Sequence, residues 1–388
     1  MIPEPLSARA WALACGGPYP DPADLVGDEH FMALALREAL KGVGHASPNP
    51  PVGCVLVREG EVLGRGVHTR AGDPHAEVMS LRHAEEGGLD PAGSTAFVTL
   101  EPCCHQGRTP PCTDALLRAG VAEVVVGVRD PNPRVAGGGI SILRQRGVKV
   151  REGVLGEACG RFHAPFFKWI LSGLPWVSLK LALDPQDRMG VPGFRTEVTP
   201  PELQALAHAL RRASDGVLVG RATAQVDDPR LSDRWPARSL PHRVFRRVVL
   251  DTRGRLPATL QIWRRLEGQP CFRVLAEEAR PLPDVEDLRV PPGPGGCSLR
   301  HLLQELGARG VSRLLVEGGP TLHRALLAEG LADELHLFRG AAEVGGAPIH
   351  LPVTQEWSRR ARLSFQGGTW EILENPTLAH PFHWPPRP

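Results

Sequence analysis

The sequence predicts two α/β domains in tandem. Over residues 28–172, apolar runs of strand length alternate with segments of helical period. The alternation stops at Ser172-Gly173-Leu174-Pro175 and restarts at Trp176, and 388 residues suffice for two or three domains of about 150 residues each. No internal repeat relates the two halves, so they are read as different domains, 28–172 and 173–388. Residues 1–27 are rich in Pro and Gly without a sustained period and are expected to form a loose extension.

In the first half, Asp28 is placed to cap a helix whose apolar residues Phe31, Met32, Leu34, Ala35, Ala39 and Leu40 recur at helical spacing before Gly42. Val52–Val57 and Val62–Val67 flank Glu59-Gly60 and predict a hairpin. A helix over His75–Ala84, a strand over Thr95–Leu100, a helix over Cys112–Arg118 and a buried strand over Val124–Val128 follow. A helix over Gly139–Arg146, a strand over Val148–Val150 and a helical stretch from Glu157 to Leu171 complete a domain expected to hold a largely parallel sheet.

In the second half, strands are predicted over Trp176–Leu183, Gly216–Val219, Val248–Asp251, Cys271–Leu275, Arg313–Val316, Glu334–Phe338 and Thr369–Leu373. Helices are predicted over Pro201–Ala213, Leu299–Leu306 and Thr321–Ala328, with Val290–Gly296 as a loop.

Composition narrows the chemistry. Forty-five basic residues against 43 acidic ones leave a net charge of +2, which gives no ground for a nucleic-acid or membrane surface as partner. No apolar run approaches the roughly 20 residues of a membrane span. A cytoplasmic location is expected, where cysteines more often bind metal or react than form disulfides. Of eight cysteines, Cys103, Cys104 and Cys112 fall within ten positions.

Upstream of that cluster stands His75-Ala76-Glu77. A histidine and two cysteines supply three ligands, and a metal held this way keeps an open position where bound water becomes acidic. Glu77 can then carry protons. Positions i and i+2 of a regular helix lie about 200° apart, so both face one metal only in a first turn. Gly72-Asp73-Pro74 before His75 suits such a turn, and Cys112, after Pro110-Pro111, opens a helix where the dipole favours thiolate. Two blander readings stand beside this one: buried cysteines and a core histidine, or a structural zinc with Cys104 as fourth ligand.

The order His-x-Glu, Pro-Cys, Cys is that of zinc-dependent base deaminases. Eight residues, Cys104–Pro111 (CHQGRTPP), separate the cysteines, and Pro48-Asn49-Pro50-Pro51-Val52-Gly53 and His68–Glu77 (HTRAGDPHAE) stand upstream. In these features residues 28–172 resemble the deaminase domain of the bifunctional pyrimidine deaminase/reductase of riboflavin biosynthesis. The resemblance implies a cytidine-deaminase-like α/β/α domain, Zn²⁺ on His75, Cys103 and Cys112, Glu77 as proton shuttle, and a phosphorylated diaminopyrimidine substrate. It places Asn49, His68, His105 and Arg108 around the pyrimidine and its phosphate. Cys104 stands where the family usually has serine.

From about residue 175 the chain resembles the reductase half of the same family, which implies a dihydrofolate-reductase-like α/β domain using NADPH. The matching pieces are Leu179-Lys180, Leu210–Asp215 (LRRASD), Val219-Gly220, Asp227–Leu231 (DDPRL), Val316–Pro320 (VEGGP) and Leu331–Leu335 (LADEL). The resemblance assigns the ribose to Lys180 and to Asp228 or Asp227, phosphate to Arg211 and Arg234, and the nicotinamide or ribose to Glu317. Gly220, Thr223, Gly318 and Gly319 are its cofactor-binding positions. With only four lysines in the chain, chance rarely puts one on a named site, which supports Lys180.

Two departures fall beside that site. The family's serine-leucine-aspartate-glycine-arginine segment becomes Ala182–Arg188 (ALDPQDR), and its glycine-serine-tryptophan-isoleucine-threonine element becomes Val191–Thr199 (VPGFRTEVT). The alternative is therefore a deaminase with a degenerate C-terminal scaffold. Expected partners are a small phosphorylated pyrimidine, no nucleic acid and no membrane, with a homo-oligomer allowed.

Overall fold

The computed structural model describes residues 4–17, 19–191, 193–233, 243–346, 349, 357–365 and 367–376. They form two compact units. Among the described residues, one runs from Cys15 to Ser172, and the other joins Glu4–Ala14 with 173–376. Among the described residues, no helix is long and apolar enough to cross a membrane.

The extension expected to be loose carries helix α1 (Glu4–Ala14). It buries Ala10, Leu13 and Ala14 and packs on the helix Pro201–Ala213 of the second unit, while the Ala14 carbonyl accepts from Arg313 Nη1 at 3.1 Å. A helix of 11 residues is marginal by itself, so this one is legible only through its packing partner.

The first unit contains α2 (Gly27–Leu40), β1 (Gly53–Arg58), β2 (Glu61–Val67), α3 (Ala76–Glu86), β3 (Thr95–Leu100), α4 (Cys112–Arg118), β4 (Glu123–Val128), α5 (Gly138–Gln145), β5 (Lys149–Glu152) and α6 (Gly156–Ser172). Its sheet runs β2-β1-β3-β4-β5. Pairing is parallel from β3 to β5 but antiparallel for β1 with both neighbours, so the sheet is mixed rather than largely parallel. Glu59 and Gly60 turn the hairpin with φ of 53° and 84°, as a tight two-residue loop requires. Asp28 is not a cap: Val26 holds the N-cap position, and Asp28 accepts from Arg151 Nη2 at 3.2 Å.

Helices lie on this sheet where it has no side chains. A Cβ added to Gly53 would stand 2.0 Å from the Ala35 carbonyl oxygen of α2. At Gly64 and Gly66 it would stand 2.1 Å from the Ser80 oxygen and 2.0 Å from the Ala76 oxygen of α3. The first two turns of α3 can therefore sit directly on β2, the first at Gly66 and the second at Gly64.

The second unit adds β6 (Trp176–Leu183), α7 (Pro201–Ala213), β7 (Gly216–Gly220), α8 (Arg221–Asp227), β8 (Arg246–Leu250), β9 (Cys271–Leu275), β10 (Glu286–Arg289), β11 (Pro292–Gly293), β12 (Gly296–Cys297), α9 (Leu299–Ala308), β13 (Arg313–Val316), α10 (Pro320–Ala328), β14 (Glu334–Gly340), β15 (Ser358–Phe365) and β16 (Gly368–Glu374). Nine strands run β10-β9-β8-β7-β13-β6-β14-β16-β15, parallel as far as β14 and antiparallel thereafter. The run 290–296, expected as a loop, carries the small β11–β12 ribbon. Along β6, Val177, Leu179, Leu181 and Leu183 are fully buried and join the aliphatic core with Leu302, Leu306 and Leu326 of the helices. Lys180 lies on the other face.

Gly66→Ala should destabilise the first unit by about 2–3 kcal/mol, because backbone rather than a flexible side chain opposes the added methyl. Thermal melts should show a loss of about 5–10 °C.

Candidate metal centre and reductase cleft

After β2 the chain turns at Gly72 (φ 100°), and His75 takes the N-cap position of α3 without a side-chain capping bond, which leaves its ring free. Glu77 sits in the first turn and is 3% exposed. Cys103 follows the end of β3, and Cys112 is the first residue of α4. These starts and ends converge. His75 Nδ1 lies 3.2 Å from Cys112 Sγ and 3.4 Å from Cys103 Sγ, and the three donor atoms all lie within 4.8 Å of one another.

One nitrogen and two soft sulfurs at this spacing suit Zn²⁺ with a position left over. Among the described residues Cys104 does not join the group, which removes the four-ligand reading. Its sulfur points toward Gly138, where a Cβ would stand 2.9 Å from it.

Cys103 receives a hydrogen bond from the Cys112 thiol, another from His75 and a third from the Cys112 backbone N–H at 3.3 Å, and these pull its thiol well below the usual range. Burial, reinforced by the negative charge of Cys103, pushes Glu77 up to about 7. A carboxyl at that value can give and take a proton near neutrality.

The surrounding residues orient this group. His75 Nε2 lies 3.4 Å from Thr109 Oγ1, so Nδ1 is presented to the sulfurs. His68 is 2% exposed, with Nδ1 3.2 Å from the Pro74 carbonyl oxygen and Nε2 3.1 Å from Asn49 Nδ2. A carbonyl can only accept, so Nδ1 carries the proton and Nε2 accepts from the Asn49 amide. His68 thereby ties Asn49 to the residue preceding His75. His105 and Arg108 are exposed on the spacer, and Arg108 Cδ lies 3.9 Å from the Cβ position of Gly72.

Glu101 and Thr109 went unread in the sequence. The Glu101 carboxylate is 3% exposed and accepts from the backbone N–H groups of Gly137 at 3.0 Å, Ile140 at 3.2 Å and Asp130 at 3.3 Å. It fastens the Pro102-Cys103 segment to the start of α5. The only sequence signal was an acidic residue at the end of an apolar strand, which is equally a solvated strand end.

In the second unit a cleft of about 780 Å³ is lined by Lys180, Arg211, Gly220, Thr223, Asp227, Glu317, Gly318 and Gly319, so eight predicted residues share one cavity. Arg211 grips Glu317 through Nε and, at 2.8 Å, Nη2. Burial opposes the Glu317 charge, but the Arg211 guanidinium outweighs it and holds the carboxyl at about 2. Lys180 and Asp227 are pushed by burial in opposite directions, the amine down and the carboxyl up.

Asp228 does not line the cleft. It caps α8 with φ 41°, and its carboxylate accepts from the Gln261 backbone N–H at 2.6 Å. Arg234 lies outside the described residues. A Cβ on Gly318 would stand 2.9 Å from Leu322 Cδ2, and one on Gly319 would stand 3.4 Å from Thr223 Oγ1. The Gly-Gly turn thus opens the N-terminus of α10 into the cleft, a cradle suited to a dinucleotide phosphate. The replaced segment forms part of the wall through Val191, Phe194, Thr196 and Val198.

The cytidine and deoxycytidylate deaminase zinc-binding region matches residues 26–128, and the RibD C-terminal domain matches residues 189–367. The riboflavin biosynthesis protein RibD of Escherichia coli is 39% identical over 324 residues, covering 80% of this chain and 87% of the relative. The chain belongs to the RibD family. RibD of Aquifex aeolicus is 37% identical over 314 residues, 80% of this chain and 86% of the relative. A Thermotoga maritima structure described as a diaminohydroxyphosphoribosylaminopyrimidine deaminase/5-amino-6-(5-phosphoribosylamino)uracil reductase matches with a TM-score of 0.80 at 31% identity, over 89% of this chain and 98% of the other. Acinetobacter baumannii RibD gives 0.79 at 33% identity, with the same coverage. Both RibD halves are present, a zinc-binding deaminase domain and a reductase domain. The bifunctional reading therefore holds over the scaffold alternative.

Glu101→Ala should weaken zinc affinity by about tenfold to a hundredfold, since three backbone N–H groups lose their acceptor. Titration with a competing chelator measures this. Stripping the metal from the unmodified protein should lower the melting temperature of the deaminase unit more than that of the reductase unit.

Proposed function

We propose that this RibD-family enzyme acts in the cytoplasm, first deaminating a phosphorylated, ribosylated diaminopyrimidine and then reducing its ribosyl group to a ribityl chain. The observation that carries the first step is Glu77, buried and within hydrogen-bond reach of Cys112 beside the His75 and Cys103 donors. Zinc, when bound there, supplies the Lewis acidity that makes water nucleophilic near neutral pH. Glu77 takes the proton of the attacking water and returns it to the departing ammonia. Asn49, oriented by His68, offers its amide carbonyl to the base edge, and His105 and Arg108 approach the phosphate from the exposed spacer.

For the second step, NADPH supplies the hydride when bound over the Gly318-Gly319 turn with Gly220 and Thr223. Lys180 holds the ribose oxygen that gains negative character, and Asp227 binds a neighbouring hydroxyl. The Arg211–Glu317 pair keeps a carboxylate ionised at the nicotinamide or ribose. Eight free cysteines support a reducing compartment, and the near-neutral charge supports a small phosphorylated substrate over nucleic acid.

Glu77→Gln should keep stoichiometric zinc and lose about 10²- to 10⁴-fold in ammonia release from the diaminopyrimidine. Undiminished release would remove Glu77 from the reaction. Lys180→Ala should stop NADPH oxidation that depends on the deaminated intermediate. Asp227→Asn should impair that oxidation by more than tenfold, and Asp228→Asn, which keeps an acceptor for Gln261, by less than threefold. The reverse order would exchange their roles.

A further inference from the structure

Strands β6 and β14 run in parallel, with Ser178 opposite Glu334, Lys180 opposite His336 and Ala182 opposite Phe338. Alternation puts these residues on one face of the sheet, away from the aliphatic core. The face is dry around β14: Glu334 is 5% exposed, His336 and Phe338 1%, and Trp370 of β16 is fully buried.

A continuous chain of contacts crosses it. Glu334 pairs with Arg360 and accepts from Ser178 Oγ at 3.0 Å and Trp176 Nε1 at 3.3 Å, while His336 Nε2 lies 3.2 Å from the same carboxylate. Trp370 Nε1 donates to His336 Nδ1 at 3.1 Å. An indole only donates, so the His336 proton sits on Nε2 and points at Glu334. With its N–H fixed in this way, the Trp370 ring stacks on Phe338, centroids 5.0 Å apart and planes 19° from parallel. Lys180 Nζ lies over the Phe338 ring, 5.9 Å from its centroid.

We propose that Phe338 is a positioning residue for Lys180, offering the face of a locked ring to the ammonium so that its charge stands at one place in the reductase cleft. The inference rests on the role of Lys180 given above. No hydrogen bond to Lys180 Nζ is formed among the described residues, and the nearby Glu317 carboxylate is already engaged by Arg211. A ring face attracts a cation without accepting a particular N–H. Held this way, the ammonium keeps its three donors for the substrate.

The test uses the full-length zinc enzyme with NADPH and the deaminated pyrimidine. Phe338→Leu removes the π face, and 3,4,5-trifluorophenylalanine at position 338 keeps the ring shape while weakening its negative face. Phe338→Leu should lower kcat for NADPH oxidation by about tenfold, and the fluorinated ring by about threefold. KM for NADPH and for the pyrimidine should stay within twofold, and ammonia release by the other unit should be unchanged. The fluorinated ring decides alone if the leucine variant does not fold. Wild-type kcat with the fluorinated ring, or a loss confined to KM, overturns the proposal. Lys180→Ala separates the two levels: if it abolishes reduction while the ring variants are silent, only this inference fails. If it leaves reduction intact, the assignment of Lys180 fails and this inference with it.

Discussion

The contact on which the deaminase site depends is backbone against backbone, α3 resting on β2 with its first turn at Gly66 and its second at Gly64. His75 and Glu77 are only two residues apart, and a regular helix would aim them to opposite sides. They serve one centre because they stand at the helix start, held close to the sheet by the absence of two side chains. Around it the arrangement is layered. Glu101 anchors the segment carrying Cys103, Thr109 faces the far nitrogen of His75, and His68 fixes Asn49 relative to the residue before the metal ligand. Glu101 and His68 are buried and hydrogen-bonded, so the groups that orient the donors are themselves fixed by the fold.

The reductase cleft solves a different electrostatic problem. Among the charged residues lining it, Lys180, Arg211, Asp227 and Glu317 are all partly withdrawn from water, where unpaired charge is costly. Arg211 and Glu317 neutralise each other through two hydrogen bonds, and their positions are thereby fixed. Lys180 and Asp227 have no such partner and remain available. Burial pushes each of them toward its neutral form, so a polar substrate between them would be welcomed as replacement solvation. The division of labour, one pair closed and one pair open, is a property of the geometry and not of the residue types.

Much of this was legible in the sequence, for identifiable reasons. The donors His75, Cys103 and Cys112 are constrained by chemistry that few other arrangements satisfy, and strands such as Thr95–Leu100 and Trp176–Leu183 are apolar enough to announce themselves. What was not legible depended on partners distant in sequence. β15, Ser-Arg-Arg-Ala-Arg-Leu-Ser-Phe, is too charged to look like a strand until Arg360 meets Glu334 and Glu374. The charged edge strand β10 and the seven-residue α8 are equally silent. Asp227 and Asp228 could not be told apart, because a single left-handed φ at Asp228 sends its carboxylate to Gln261. The sheet of the first unit was read as more parallel than it is, since alternation of elements does not reveal which strand an amino-terminal hairpin joins.

Helix α1 has a topological consequence. Because Glu4–Ala14 belongs to the same compact unit as the described residues from Gly173 on, the deaminase is an insertion within the reductase polypeptide and not a bead strung before it. Both of its ends are tethered to one body, so a single protease cut in either connection leaves it attached. During synthesis α1 leaves the ribosome ahead of the deaminase and must wait for the bulk of its partner to be made, with a whole domain folding in the interval. The order of translation and the order of assembly are thus different in this chain, and α1, made before the deaminase, finds its place only after it.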